Sequence, residues 1–132
     1  MKSHPPIVKN RKKHILIIDD EPAWRNVLTH FLKHQGYEVK SADSGSQALK
    51  TLARFTPDLI LSDVRMPDMN GFDLLDTIKR MIPKLSATPV VFFSAIDDYD
   101  AKKVARDLGA AEFIVKPFNQ EEVGTVISRL LP

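Results

Sequence analysis

Apolar and polar positions along the chain follow two alternating periods. Aliphatic runs at 14–19, 58–63, 89–95 and 112–116, with a weaker one at 37–42, have the length and residue types of strands. The segments between them carry helical stripes. Trp24, Val27, Leu28, Phe31 and Leu32 form the first; Pro22 suits its opening position, where a missing N–H costs nothing, and Gly36 ends it. Ala48, Leu49, Leu52 and Ala53 form the second. Phe72, Leu74, Leu75, Ile78 and Ile82 form the third, closed by Pro83. Ala101, Val104, Ala105 and Leu108 form the fourth, stopped by Gly109, and Val123, Val126, Ile127 and Leu130 form the fifth. Gly36, Gly45, Gly71 and Gly109 read as turn or cap positions.

Five strands, each followed by a helix and apolar on both faces, predict an α/β fold with a doubly wound, five-stranded parallel sheet. Right-handed crossovers leave few topologies. In open sheets of this kind, ligands bind beyond the carboxyl ends of the strands. The chemistry is therefore expected at those ends.

Composition narrows the function. A chain of 132 residues suits one domain with a sizeable core. It has no cysteine, which excludes disulfides, thiolate metal sites and cysteine nucleophiles. Runs such as "VVFFSAI" fall well short of the roughly 20 residues that span a bilayer. The N-terminal stretch lacks a signal-peptide apolar region, so a cytoplasmic protein with no membrane contact is expected. The net charge of +2 is unevenly placed. Residues 1–14 hold five of the 19 Lys and Arg and no acid, leaving 14 basic against 17 acidic residues, a balance of −3. This pattern predicts a basic flexible leader over 1–13 and a domain over 14–132, with no nucleic-acid contact by the domain itself.

The strand ends gather ionisable groups. The first ends in Asp19, Asp20 and Glu21, the third in Asp63, the fourth in Ser94 and the fifth in Lys116. Singly, an Asp or Ser after a strand often caps the next helix, and a Lys is often simply solvated. Together, at four strand ends, they point to a site. Two carboxylates about 4 Å apart repel by about 4 kcal/mol at an effective dielectric near 20. Asp19, Asp20 and Asp63 thus call for a cation, and an all-oxygen set suits Mg²⁺. Such an ion, with Lys116 and the Ser94 hydroxyl, could receive a phosphoryl group, with Asp63 as nucleophile.

With "IIDDE", "LILSDVRMPDMNGFDLL", "VVFFSA" and "GAAEFIVKPF" in this order and spacing, the chain resembles the receiver domains of two-component response regulators over about residues 14–131. The resemblance implies a (βα)5 flavodoxin-like fold with strand order 2-1-3-4-5. It implies that Asp63 is the phosphoacceptor, served by a sensor histidine kinase or phosphotransfer protein. Asp20, Asp63 and the backbone carbonyl of Arg65 would hold Mg²⁺, with Asp19 acting largely through water. Ser94 and Phe113 would be the switch pair, and Lys116 would reach the phosphoryl group from a cis Lys116–Pro117 bond. Arg65 and Ile96 stand where the family tunes dephosphorylation.

The implied role is regulatory rather than enzymatic, with the domain supporting its own phosphoryl transfer and slow dephosphorylation. Phosphorylation would shift the face formed by the fourth helix, fifth strand and fifth helix, controlling an output domain, a target protein or a homodimer. A haloacid-dehalogenase-like phosphohydrolase uses similar groups, but its nucleophile follows the first strand and a second Asp stands where this chain has Arg65. A flavodoxin-like FMN binder needs a hydroxyl- and glycine-rich loop after the first strand, where this chain has three acids. His30 and His34, spaced like a metal-binding pair, lack a third ligand in sequence and read as polar residues flanking the first helix.

Overall fold

A computed structural model describes residues 12–95 and 99–132. Residues 1–11 of the leader expected over 1–13, and Ile96, lie outside the described residues. The elements alternate as predicted: β1 (His14–Ile18), α1 (Pro22–His34), β2 (Glu38–Ala42), α2 (Gly45–Leu52), β3 (Leu59–Asp63), α3 (Gly71–Met81), β4 (Val90–Ala95), α4 (Tyr99–Asp107), β5 (Glu112–Lys116) and α5 (Gln120–Leu130). A short 3₁₀ turn at Pro83–Leu85 joins α3 to β4. The strands form one parallel sheet in the order β2-β1-β3-β4-β5.

The strands alternate their side chains between two apolar layers. Leu16, Ile18, Ile60 and Phe92 face α2, α3 and α4, whereas Ile15, Ile17, Leu61 and Phe93 face α1 and α5. Burial on both faces explains why β1, β3 and β4 read as unbroken aliphatic runs. The edge strand β2 is mostly exposed, burying only Val39 on one face and Ala42 on the other.

The helical stripes are narrower than the periodicity suggested. Val27 is 48% exposed, and α1 buries Leu28 and Leu32 while Trp24 and Phe31 are half-buried. Ala53 lies beyond the end of α2 and is exposed. α4 buries only Ala101 and Ala105, leaving Val104 and Leu108 turned largely outward. Periodicity identifies which residues could face the sheet, but the width of the contact depends on how closely each helix approaches it.

The glycines also divide differently. Gly36 and Gly109, with φ of 101° and 83°, end α1 and α4 in the left-handed region as expected. Gly45 and Gly71 are instead the first residues of α2 and α3, whose N-caps are Ser44 and Asn70.

The start of α2 has a second cap from outside the helix. The Asp68 carboxylate accepts from Gly45 N at 3.2 Å, Ser46 N at 3.0 Å and Ser46 Oγ at 2.8 Å. These Ser46 bonds hold the Asp68 carboxyl below its ordinary range. A group with a depressed folded pKa contributes above its unfolded value and loses that contribution as pH falls through the folded one. Asp68→Ala is therefore expected to lower stability by about 0.5–1 kcal/mol at pH 7, the effect fading in acid well below pH 4. Urea denaturation at the two pH values checks this.

Candidate functional site

Three strands deliver carboxylates and an amine to one edge. β1 runs into Asp19 and Asp20, β3 ends at Asp63 and β5 ends at Lys116. Their register places Ile18 opposite Ser62, Asp63 opposite Phe93 and Ala95 opposite Lys116. Residues far apart in sequence thus meet on rigid elements rather than on loops.

One oxygen each from Asp19, Asp20 and Asp63 lies within 4.8 Å of the others, a grouping that could hold a metal ion. Asp19 and Asp63 are buried and Asp20 is half-buried. The donors are all hard carboxylate oxygens, and the half-buried Asp20 leaves the group open toward solvent, a combination that fits a small hard cation retaining some of its water.

Lys116 supplies positive charge to the same space. Its Nζ donates to Asp19 Oδ2 at 3.1 Å, Glu21 Oε1 at 2.8 Å and Asp63 Oδ2 at 3.0 Å. Burial alone would lower the Lys116 pKa, but the bonds to Glu21 and Asp63 outweigh it and raise it. The ammonium also lies 5.4 Å from the ring centroid of Trp24 and 5.0 Å from that of Phe93. Phe118 packs against both rings. Trp24 therefore sits half-buried at the edge of the core, beside the amine that the acids share. The Lys116–Pro117 bond is cis.

Asp19 carries the electrostatic cost of the cluster. Burial pushes its carboxyl up to about 6, the Glu21 backbone N–H and Lys116 pull it back, and Asp63 adds to the rise. Its Oδ1 accepts from Glu21 N at 2.9 Å, and Arg25 Nη1 donates to its backbone carbonyl at 2.8 Å. Asp63 Oδ1 accepts from Arg65 N at 3.2 Å.

The other residues named from the sequence stand on β4, β5, the loop after β3 and α1. Ser94 is buried, one residue past the level of Asp63 on the neighbouring strand. Phe113 is half-buried on β5, opposite Phe92. Arg65 is exposed at the start of the loop after β3. His30 and His34 stand edge to face on exposed α1 positions, with ring centroids 5.9 Å apart, and join no metal-ligating group of three among the described residues.

Sequence reasoning missed three contacts: Glu21 on Lys116, Arg25 on the Asp19 carbonyl, and the aromatic floor under Lys116. Glu21 was visible as a third acid, but its target lies 95 residues away. No local signal links the two.

The family model for the response regulator receiver domain matches residues 15–128. The chain belongs to the response regulator receiver domain family. This receiver is 38% identical over 117 residues to the DNA-binding transcriptional regulator NtrC of Bradyrhizobium sp. (strain RP501 Parasponia), covering 89% of this chain and 24% of that protein. It likewise spans only 25% of the regulatory protein AtoC of Escherichia coli (strain K12). Among solved structures, the chemotaxis response regulator CheY4 of Vibrio cholerae superposes with a TM-score of 0.83 at 31% identity, covering 91% of this chain and 99% of that one. TrrA from Thermotoga maritima, solved in complex with Mg²⁺-BeF, gives a TM-score of 0.76 at 30% identity, covering 89% of this chain and 98% of that one. The haloacid-dehalogenase alternative finds no support in these matches. The receiver is a regulatory domain, and none of its described helices is long and apolar enough to cross a membrane.

Proposed function

We propose that this receiver accepts a phosphoryl group on Asp63 from a sensor histidine kinase or phosphotransfer protein, and that the modification changes its α4-β5-α5 face. The observation that carries this reading is the meeting of Asp19, Asp20 and Asp63 within 4.8 Å, with Lys116 Nζ 3.0 Å from Asp63. Asp19, Asp20, Asp63 and the carbonyl of Arg65 would hold Mg²⁺, which when bound neutralises charge on the phosphoryl oxygens. The Mg²⁺ complex of the related TrrA favours the same ion here.

An Asp63 carboxylate oxygen attacks phosphorus, and the leaving group departs with the electron pair of the bond that breaks, leaving an acyl phosphate. Lys116 turns a donor to a phosphoryl oxygen. The Ser94 hydroxyl donates to another, and Phe113 moves toward the space Ser94 vacates. Phe113 lines a cavity of about 240 Å³ with Lys102, Ala105, Arg106, Ala110 and Glu112, between α4 and β5. A rearranged Phe113 thereby reshapes a surface that a target protein, an output domain or a second copy can read. Water attacking phosphorus reverses the modification slowly, with Arg65 beside its path.

Incubation with acetyl phosphate and Mg²⁺ should add one phosphoryl group by intact mass, and chelation should prevent it. Mg²⁺ alone should raise the melting temperature by relieving acid repulsion, and Asp20→Ala should blunt that response. Failure to accept phosphate from both small donors and phosphorylated histidine proteins would sink the reading.

A further inference from the structure

Glu21 holds the N-cap position of α1, yet its side chain caps nothing. Its carboxylate reaches instead to Lys116, and the 2.8 Å contact is the shortest of the three the ammonium makes. The Glu21 side chain is 56% exposed, in contrast to buried Asp19 and Asp63. It also stands outside the trio whose oxygens converge. Glu21 therefore touches the site's amine without belonging to its candidate cation set.

We propose that Glu21 is a positioning residue that restrains phosphoryl transfer, by holding one N–H of Lys116 and placing a negative charge at the mouth of the site. This rests on the reading of Asp63 as acceptor. In transfer from acetyl phosphate, an Asp63 oxygen bonds to phosphorus while the bond from phosphorus to the acetate oxygen breaks, its electron pair leaving with acetate. The incoming phosphoryl oxygens need the donors of Lys116. An ammonium has three, and here Asp19, Glu21 and Asp63 engage them all. The two Asp contacts lie where a cation can replace the amine, whereas Glu21 keeps its hold after that exchange. Its charge further opposes the approach of an anionic donor.

Glu21→Gln preserves size and an acceptor oxygen but removes the charge. At saturating Mg²⁺ it should gain phosphate from acetyl phosphate about three- to tenfold faster than wild type. That ratio should shrink toward one between about 0.05 and 0.5 M salt, because charges at an exposed mouth are screened. Glu21→Asp, which keeps the charge, should stay within about twofold of wild type. Both variants should melt close to wild type, since no cap bond is lost. With a wild type that does take up phosphate, a Glu21→Gln rate equal to or below the wild-type rate, or a ratio indifferent to salt, overturns the proposal. A wild type that takes phosphate from no donor overturns the Asp63 reading, and this inference with it.

Discussion

Asp63→Ala is expected to abolish phosphoryl gain while leaving the domain folded. Asp63 presents a buried carboxylate at the end of the middle strand, with Lys116 3.0 Å away and the Arg65 backbone N–H on its other oxygen. Removing it deletes the proposed attacking oxygen outright, so the rate should fall by more than about a hundredfold, to background. The fold should tolerate the change because Lys116 retains Asp19 and Glu21. The electrostatics should improve.

A pH series exposes that improvement. Asp19 has a carboxyl raised from 3.8 to about 6, and Asp63 contributes to the rise. A raised acid favours the folded state only while protonated. Ionising it costs stability as pH climbs from about 4 to 6, by at most about 3 kcal/mol, and the cost then stays constant. Removing Asp63 should shrink it, so in metal-free buffer the stability difference, variant minus wild type, should grow more positive from pH 4 to pH 7. Intact mass and thermal unfolding read the two halves of this prediction. Continued phosphorylation would place the acceptor elsewhere.

The second large effect comes from a single methyl group. Gly71 opens α3 directly against the end of β3, with its N–H on the Val64 carbonyl at 2.8 Å. A Cβ there would overlap the Asp63 backbone carbonyl oxygen and lie 3.1 Å from Phe92 Cε1 and 3.2 Å from Ser62 Oγ. The main obstacle is backbone, which cannot rotate away as a flexible side chain can. Gly71→Ala should destabilise the domain by about 3 kcal/mol and, by displacing Asp63, the proposed acceptor, slow phosphoryl gain as well. Gly109→Ala is the control: its φ of 83° strains a side chain, but nothing lies within 4 Å of the new atom. It should cost about 1–2 kcal/mol and leave the site alone. Urea denaturation ranks the pair, and the opposite order would show that overlap at Asp63 does not govern Gly71.

Gly71 also shows how a motif can be legible while its cause is hidden. "MPDMNG" is part of the receiver resemblance, yet neither the spacing nor the composition says that a Cβ would strike Asp63. The same holds for Asp68, three residues before the start of α3 but bonded to the start of α2. Both roles depend on two elements meeting, and local sequence carries no record of the partner.

Sequence by itself determined the alternation of strands and helices, the parallel sheet and the edge where Asp19, Asp63 and Lys116 meet. Those features follow from periodicity, from burial on both faces of the strands, and from the motif residues at strand ends, each expressed within a few neighbouring positions. Tertiary structure alone decided which stripe residues reach the core: Val27, Val104 and Leu108 stay largely outside because the helices approach the sheet along narrower faces than their apolar stripes allow. It also decided that Lys116 is shared among Asp19, Glu21 and Asp63 and rests beside Trp24 and Phe93. Charge pairing acts through space, so its partners became visible only when the register of β1, β3 and β5 brought their ends together.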